Sequence, residues 1–273
     1  MRKSHIASAA FSVIAILASA CGGGDSPSAP AATPQSVTIT SSSDRLFIGA
    51  SETFSATATM SDGSTRSVTG TWGTDAPGVA TVETATGRVT GVGSGMVTVF
   101  VDYQGRRGTK LIRGLPNYQG TWSGSYSVRS CSQSAQAALV DLCGATFSVN
   151  RVLPTNLNVT QDGDRVQGRF FLGTLGADAS GPVQGDGRLL LTGVVNGDGL
   201  TIDTSWALDS QSAGRITGGF TLLVRFAGLN GDARVVADIR DLNRTSNLAP
   251  SLMDALQAPG SREDALRAIV RRR

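Results

Sequence analysis

The residues able to do chemistry are few in this 273-residue chain. There are three cysteines, Cys21, Cys131 and Cys143, a single histidine, His5, and glutamates only at Glu52, Glu83 and Glu263. Cys131 and Cys143 form an even pair whose default state in an exported chain is a disulfide. Closing a loop of about a dozen residues contributes on the order of 3 kcal/mol. Cys21 is a separate thiol directly behind an apolar run. Because His5 lies in the N-terminal twenty residues, the remainder of the chain holds no histidine, which excludes a Ser-His-Asp or Cys-His triad and a His-based zinc site. Seven of the 18 aspartates stand beside glycines, as turn residues do, and no spacing points to the carboxylate pair of a hydrolase. Asp162-Gly163-Asp164, Asp186-Gly187 and Asn196-Gly197-Asp198 read as hairpin turns, since no run supplies the six or more oxygens that calcium takes. No catalytic residue, metal site or cofactor is expected, and the chain reads as non-enzymatic.

The elements that must position these cysteines begin with an address. Residues 1–20 have a charged start at Arg2 and Lys3, an apolar run around Phe11 to Leu17, and the small residues Ala18-Ser19-Ala20. This is the layout of a secretory signal, and the run is too short for a bilayer span of about 20 residues. Cys21 followed by Gly22-Gly23-Gly24 resembles the lipobox of bacterial lipoproteins, with Leu17 one position earlier than that family's usual leucine. The resemblance implies a lipid on Cys21, a membrane attachment through it, and a place in the cell envelope at the outer membrane or cell surface. The plain alternative is a secreted protein with a free or cross-linked Cys21. Residues 21–36, rich in Gly, Ser, Ala and Pro, read as a flexible tether.

Charge narrows the partners. The whole chain carries 24 Lys and Arg against 21 Asp and Glu, and removal of residues 1–20 lowers the formal charge from +3 to +1. A nucleic-acid surface has no support.

From Ser36 onward the texture is short alternating runs separated by turn residues every 8 to 12 positions, the pattern of an all-β fold. Residues 37–114 form the first domain, with strands expected at Ser36 to Thr40, Arg45 to Ile48, Thr53 to Met60, Val79 to Glu83, Arg88 to Val92 and Met96 to Tyr103. Phe54, Ala56 and Ala58 share one face, as do Val97, Val99 and Val101, which suits a sandwich core. The order of landmarks resembles the group 2 bacterial immunoglobulin-like domain: Gly49, Phe54 to Ala58, Asp62-Gly63-Ser64, Trp72, Val79 to Val82, Gly87 to Gly91 and Gly95-x-Val97-x-Val99. That resemblance implies a surface-displayed module, an adhesin or a spacer. Trp72 is expected to plug its core. Gly114 to Asn117 is a short joint.

Residues 118–245 form the second domain. Strands are expected at Thr121 to Val128, Ala145 to Asn150, Asn156 to Gln161, Arg165 to Leu172, Arg188 to Val195, Leu200 to Leu208, Arg215 to Val224 and Ala233 to Leu242. Hairpin turns join most neighbours, so an antiparallel up-and-down barrel of about eight strands follows. Gly120-Thr121-Trp122, with Arg240 near the end of the last strand, resembles the opening and basic partner of lipocalin-like barrels; avidin-like barrels also begin with Gly-Thr-Trp. The likeness implies a ligand cup, with Trp122 packing under Arg240 as a closing plug or touching ligand.

Eight strands leave an interior that is either filled or opened into one small cavity. If a cavity exists, Phe170, Trp206, Phe220 and Leu222 line it and make it apolar. Inward Gly168, Gly193 and Gly218 either relieve crowding there or allow the barrel to coil. The segment between Cys131 and Cys143 reads as a pinned flap at one barrel mouth. Residues 246–273 read as a short helical or disordered tail. Two functions stay open: an envelope protein whose immunoglobulin-like spacer presents a barrel for a small apolar ligand or partner, and an adhesion or structural protein with a solid barrel that meets a cell-surface protein or glycan.

Overall fold

The computed structural model describes residues 31–173, 175–197, 199–212 and 214–247. Cys21, the expected signal at residues 1–20, most of the expected tether and nearly all of the expected tail lie outside them.

The first domain is an all-β sandwich of ten strands: β1 (Pro34–Thr40), β2 (Arg45–Phe47), β3 (Ser51–Thr53), β4 (Ser55–Met60), β5 (Thr65–Val68), β6 (Thr71–Thr74), β7 (Ala80–Val82), β8 (Arg88–Gly91), β9 (Gly95–Tyr103) and β10 (Arg106–Leu115). They pair as β1-β4-β5, β2-β10-β9-β6 and β3-β8-β7. The expected strand from Thr53 to Met60 is broken at Phe54, because the chain changes sheets there: Ser51 to Thr53 pair with β8, and Ser55 to Thr59 pair with β1. Buried Phe54 fills that corner. Val97, Val99 and Val101 face Val37, Ala56, Ala58 and Trp72 in one core. Trp72 is the plug its composition suggested, and Gly87 (φ 69°) lies so close that a Cβ there would strike the indole ring. Strands β5, β6 and β10 were not anticipated.

Eight antiparallel strands close the second domain into a barrel: β11 (Gly120–Gln133), β12 (Val152–Asp162), β13 (Arg165–Leu172), β14 (Leu175–Pro182), β15 (Leu189–Gly197), β16 (Leu200–Ser212), β17 (Arg215–Phe226) and β18 (Asp232–Ser246). The alternation on β16 is as the pattern requires, with Leu200, Ile202, Thr204, Trp206 and Leu208 all buried.

The strand number agrees with expectation, yet one member differs. Ala145 to Asn150 is not a strand. Leu142–Ala145 is a single helical turn, α1, whose Asp141 carboxylate accepts from the Gly144 N–H at 2.9 Å. The backbone then turns on itself, the Phe147 N–H donating to the Leu142 carbonyl and the Arg151 N–H to the Ser148 carbonyl, both at 3.0 Å, so its aromatic and β-branched residues do not enter a ladder. The missing strand is β14, made of Leu175-Gly176-Ala177-Asp178-Ala179-Ser180-Gly181-Pro182. Its small residues carry little β preference, although Leu175, Ala177 and Ala179 do alternate inward.

The domains meet through a built joint rather than a loose linker. Leu115, the last residue of β10, is fully buried in the barrel's core cluster, and Phe47 of β2 packs against that cluster. Arg113 lies 3.4 Å from the Asp164 carboxylate and donates to the Val183 carbonyl at 3.0 Å. Gln161 clasps the joint, its amide N–H donating to the Pro116 carbonyl at 3.1 Å while its carbonyl accepts from the Tyr118 N–H at 2.6 Å.

Candidate functional site

The residues expected to line a cavity all lie inside the barrel. Phe170 on β13, Trp206 on β16 and Phe220 and Leu222 on β17 are at most 3% exposed. The three aromatic rings touch in series. Phe170 and Trp206 have centroids 4.7 Å apart, Trp206 and Phe220 4.5 Å, and Phe220 meets Tyr126 of β11 edge-on at 5.0 Å. These are contact distances for aromatic pairs. Four rings thus cross the interior in one continuous stack, with Leu222 and Ile202 among the buried residues of the same core. Burial pushes the Tyr126 phenol well above its ordinary value, as expected of a hydroxyl in apolar surroundings. One polar atom in the stack is left over: the Trp206 indole N–H is buried and has no acceptor.

Gly168, Gly193 and Gly218 serve the barrel's shape. A Cβ at these positions would collide with the carbonyls of Asn158, Asp178 and Ala207 on the neighbouring strands, so the glycines allow close strand approach and tight coiling.

At the base, Tyr118 is the stopper. Its hydroxyl lies 2.8 Å from the Gly187 carbonyl and 3.1 Å from the Leu208 carbonyl, and it accepts from the Ser210 N–H at 3.2 Å. Desolvation raises its ionisation well above the ordinary phenol value. The Trp122 indole N–H donates to the Tyr118 carbonyl at 2.8 Å.

The cation over Trp122 is Arg244, not Arg240. The Arg244 guanidinium carbon lies 4.3 Å from the Trp122 ring centroid, and its nitrogens donate to the Asn117 carbonyl and, at 3.2 Å, to the Asn247 side chain. Arg240 is exposed and its Nε reaches the Ser127 hydroxyl at 3.3 Å. The reason is register. Tyr126 pairs with Ile239 and Ser125 with Asp241, so Arg240 is the extra residue of a bulge on the outer wall. Strand β18 also continues to Ser246, four residues beyond its expected end, which brings Arg244 opposite Trp122. Partial burial lowers the Arg244 pKa.

The opposite mouth is closed by the flap. Cys131 and Cys143 are bonded, with Cα atoms 5.5 Å apart. Inside the loop, a 3₁₀ turn at Ala135–Leu139 and then α1 place Ala137 and Leu142 in buried positions, and Phe147 follows them. Gln133 ties the flap from beneath, donating to the Ala137 carbonyl at 2.6 Å and to the Val140 carbonyl while accepting from the Cys143 N–H at 3.0 Å. Leu142 and Phe147 belong to the barrel's core cluster, so the flap fills the mouth rather than only covering it.

On the outer wall, Ser180, Thr192, Ser205, Thr221 and Val236 stand in register across five strands. A groove of about 630 Å³ opens there, with Val194, Leu223, Asp203 and Arg234 among its walls. Among the described residues, no group of three or more His, Cys, Asp or Glu side chains is placed to hold a metal.

Sequence reasoning did not single out Tyr118, Arg244 or Gln133. The first stands two residues before Gly120-Thr121-Trp122 and the third two after Cys131, so both were near recognised landmarks. Arg244 needed the bulge. No curated protein matches the chain. Residues 34–109 match the family model of the bacterial Ig-like domain (group 2), which assigns the first of the two domains to that kind of module.

Proposed function

We propose that this chain is a non-enzymatic, lipid-anchored cell-envelope protein, in which the Ig-like domain is a spacer and the barrel is a solid interaction platform. Bacterial Ig-like domains occur in extracellular or surface proteins, and an Ig-like domain followed by a barrel fits a surface or structural protein. The observation that carries the reading is the aromatic stack. With Phe170, Trp206, Phe220 and Tyr126 in consecutive contact, and with Tyr118 and the flap filling the two ends, the barrel's contacts with a partner fall on its outer wall. The hydroxyl-lined groove bounded by Val194 and Leu223 is the candidate surface for a cell-surface protein or glycan.

The anchor rests on Cys21, supported by the signal layout before it and the Gly-rich tether after it. Two acyl chains, at about 0.8 kcal/mol per buried methylene, give stable attachment. Metabolic labelling with a fatty-acid analogue is expected to mark the wild-type chain and not Cys21→Ala; equal labelling of both removes the anchor. A second reading, a barrel that takes a small apolar ligand, draws on one observation, the acceptor-free indole N–H of Trp206. A ligand carrying an oxygen acceptor would satisfy that donor. Native mass spectrometry of the unlipidated chain tests this reading, since a co-purified small molecule would support it over the platform.

A further inference from the structure

We infer that the Ig-like domain is a load-bearing spacer, built to resist a pull between the tether and the barrel, an inference that rests on the anchored-platform reading above. The chain enters the domain at Pro34 and leaves it at Leu115, and these two points lie at opposite ends of parallel strands. At the entry end, the Arg106 guanidinium donates to the Pro34 carbonyl at 3.1 Å, and Gly108 packs against the Val37 carbonyl so closely that a Cβ would lie 2.7 Å from it. At the exit end, β2 pairs with β10 in parallel, Arg45 with Arg113, Leu46 with Gly114 and Phe47 with Leu115. The backbone bonds Arg113 N–H to Asp44 carbonyl and Ile48 N–H to Leu115 carbonyl, both 2.8 Å, frame those pairs.

Tension applied at Pro34 and Leu115 therefore acts along β1, β2 and β10. It slides them past their neighbours instead of peeling them away. Every bond of the β2/β10 pairs, and of the β1/β4 ladder from Pro34↔Met60 to Thr40↔Ser55, is loaded at once. Hydrogen bonds in ladders are individually modest, so sharing a load among them decides how much a domain withstands. The joint passes the load on. Arg113 is bound to Asp164 and to Val183 of the barrel, and Leu115 is buried in its base.

The barrel provides the internal contrast. Strand β11 starts and β18 ends at the same end, with Thr121 opposite Ser246. A pull between Tyr118 and the chain beyond Ser246 opens this ladder one pair at a time.

Single-molecule stretching of the unlipidated chain from Cys21 to Arg273, held by the Cys21 thiol and a C-terminal handle, reads both domains in one trace. The domains differ in released length. The 82 residues from Pro34 to Leu115 extend to about 300 Å, whereas the 127 residues from Gly120 to Ser246, less the 11 enclosed by the disulfide, extend to about 420 Å. The longer step is expected first, at low force, and the shorter step last, at a force several-fold higher. Ile48→Pro, which deletes the N–H that binds the Leu115 carbonyl at a partly exposed position, should lower the second force and leave the first unchanged. A shorter step at equal or lower force than the longer one in the wild-type chain overturns the inference, whether or not the variant folds. Because the measurement uses an unlipidated chain, its failure is distinct from a failure of the Cys21 labelling experiment.

Discussion

Phe220→Ala removes the ring that joins the two halves of the interior stack. Phe220 lies 4.5 Å from Trp206 on one side and 5.0 Å from Tyr126 on the other, and its side chain is almost fully buried. Truncating a phenylalanine in a packed core costs about 3–5 kcal/mol, from lost transfer energy and the cavity left behind. Two ring contacts, each worth about 0.5–1.5 kcal/mol beyond area, place this site near the top of that range, at about 4–5 kcal/mol. Small domains have only about 5–15 kcal/mol in total, so Phe220→Leu, expected to cost about 1–2 kcal/mol, serves if the alanine variant does not fold. Urea unfolding followed by fluorescence suits the measurement, because Trp206 and Trp122 report on the barrel and Trp72 on the Ig-like domain. The denaturant slope should stay constant, so that a midpoint change is a stability change. A loss under about 1 kcal/mol for Phe220→Ala at constant slope would refute the packed-interior argument, since that small cost is expected of a ring bordering empty or ligand-filled space.

Further outcomes follow from the base of the barrel. Arg244→Ala should cost about 1–3 kcal/mol, since it deletes a partly desolvated cation over Trp122 and a bond to the Asn117 carbonyl, while Arg240→Ala should fall within about 0.5 kcal/mol. Chemical denaturation ranks the two, and the reverse order would restore Arg240 as the closing residue. Burial raises the folded-state ionisation of Tyr118 and Tyr126 well above the ordinary phenol value of about 10. Above that pH the unfolded chain releases phenolic protons that the folded chain keeps, so the unfolded state binds fewer protons and stability falls as pH rises. The barrel's stability should be insensitive to these groups below about pH 9 and decline beyond pH 10. Ultraviolet titration should find both phenols ionising only as the barrel unfolds, and ionisation of either in the folded barrel near pH 10 would contradict their burial.

Much of this molecule could be read without coordinates because the information is local. The sandwich core at Phe54, Ala56 and Ala58, the inward set on β16, and the Cys131–Cys143 pair all follow from side-chain period or cysteine count. Strand β13 was located to the residue, since Arg165 to Leu172 alternates cleanly between turn signals. Local preference misled in two places of opposite character. Ala145 to Asn150 has strand-forming residues but is tethered at the mouth, and Leu175 to Pro182 has strand-poor residues but is paired with β13 over its whole length. Tertiary pairing outweighs propensities of about 1 kcal/mol.

By itself the sequence determined the all-β class, the disulfide, and the inward sets on strands such as β13, β16 and β17. It also showed that no histidine lies beyond His5, so a histidine-based triad has no member there. Only the tertiary structure decided that the inward rings meet at 4.5 to 5.0 Å, that a bulge at Arg240 hands Trp122 to Arg244, and that β2 and β10 run parallel where the chain leaves the Ig-like domain. Each of these depends on how far one strand slides along another. Period-two alternation specifies the face a residue occupies but not the neighbour it meets, and that choice belongs to the register of the assembled sheet.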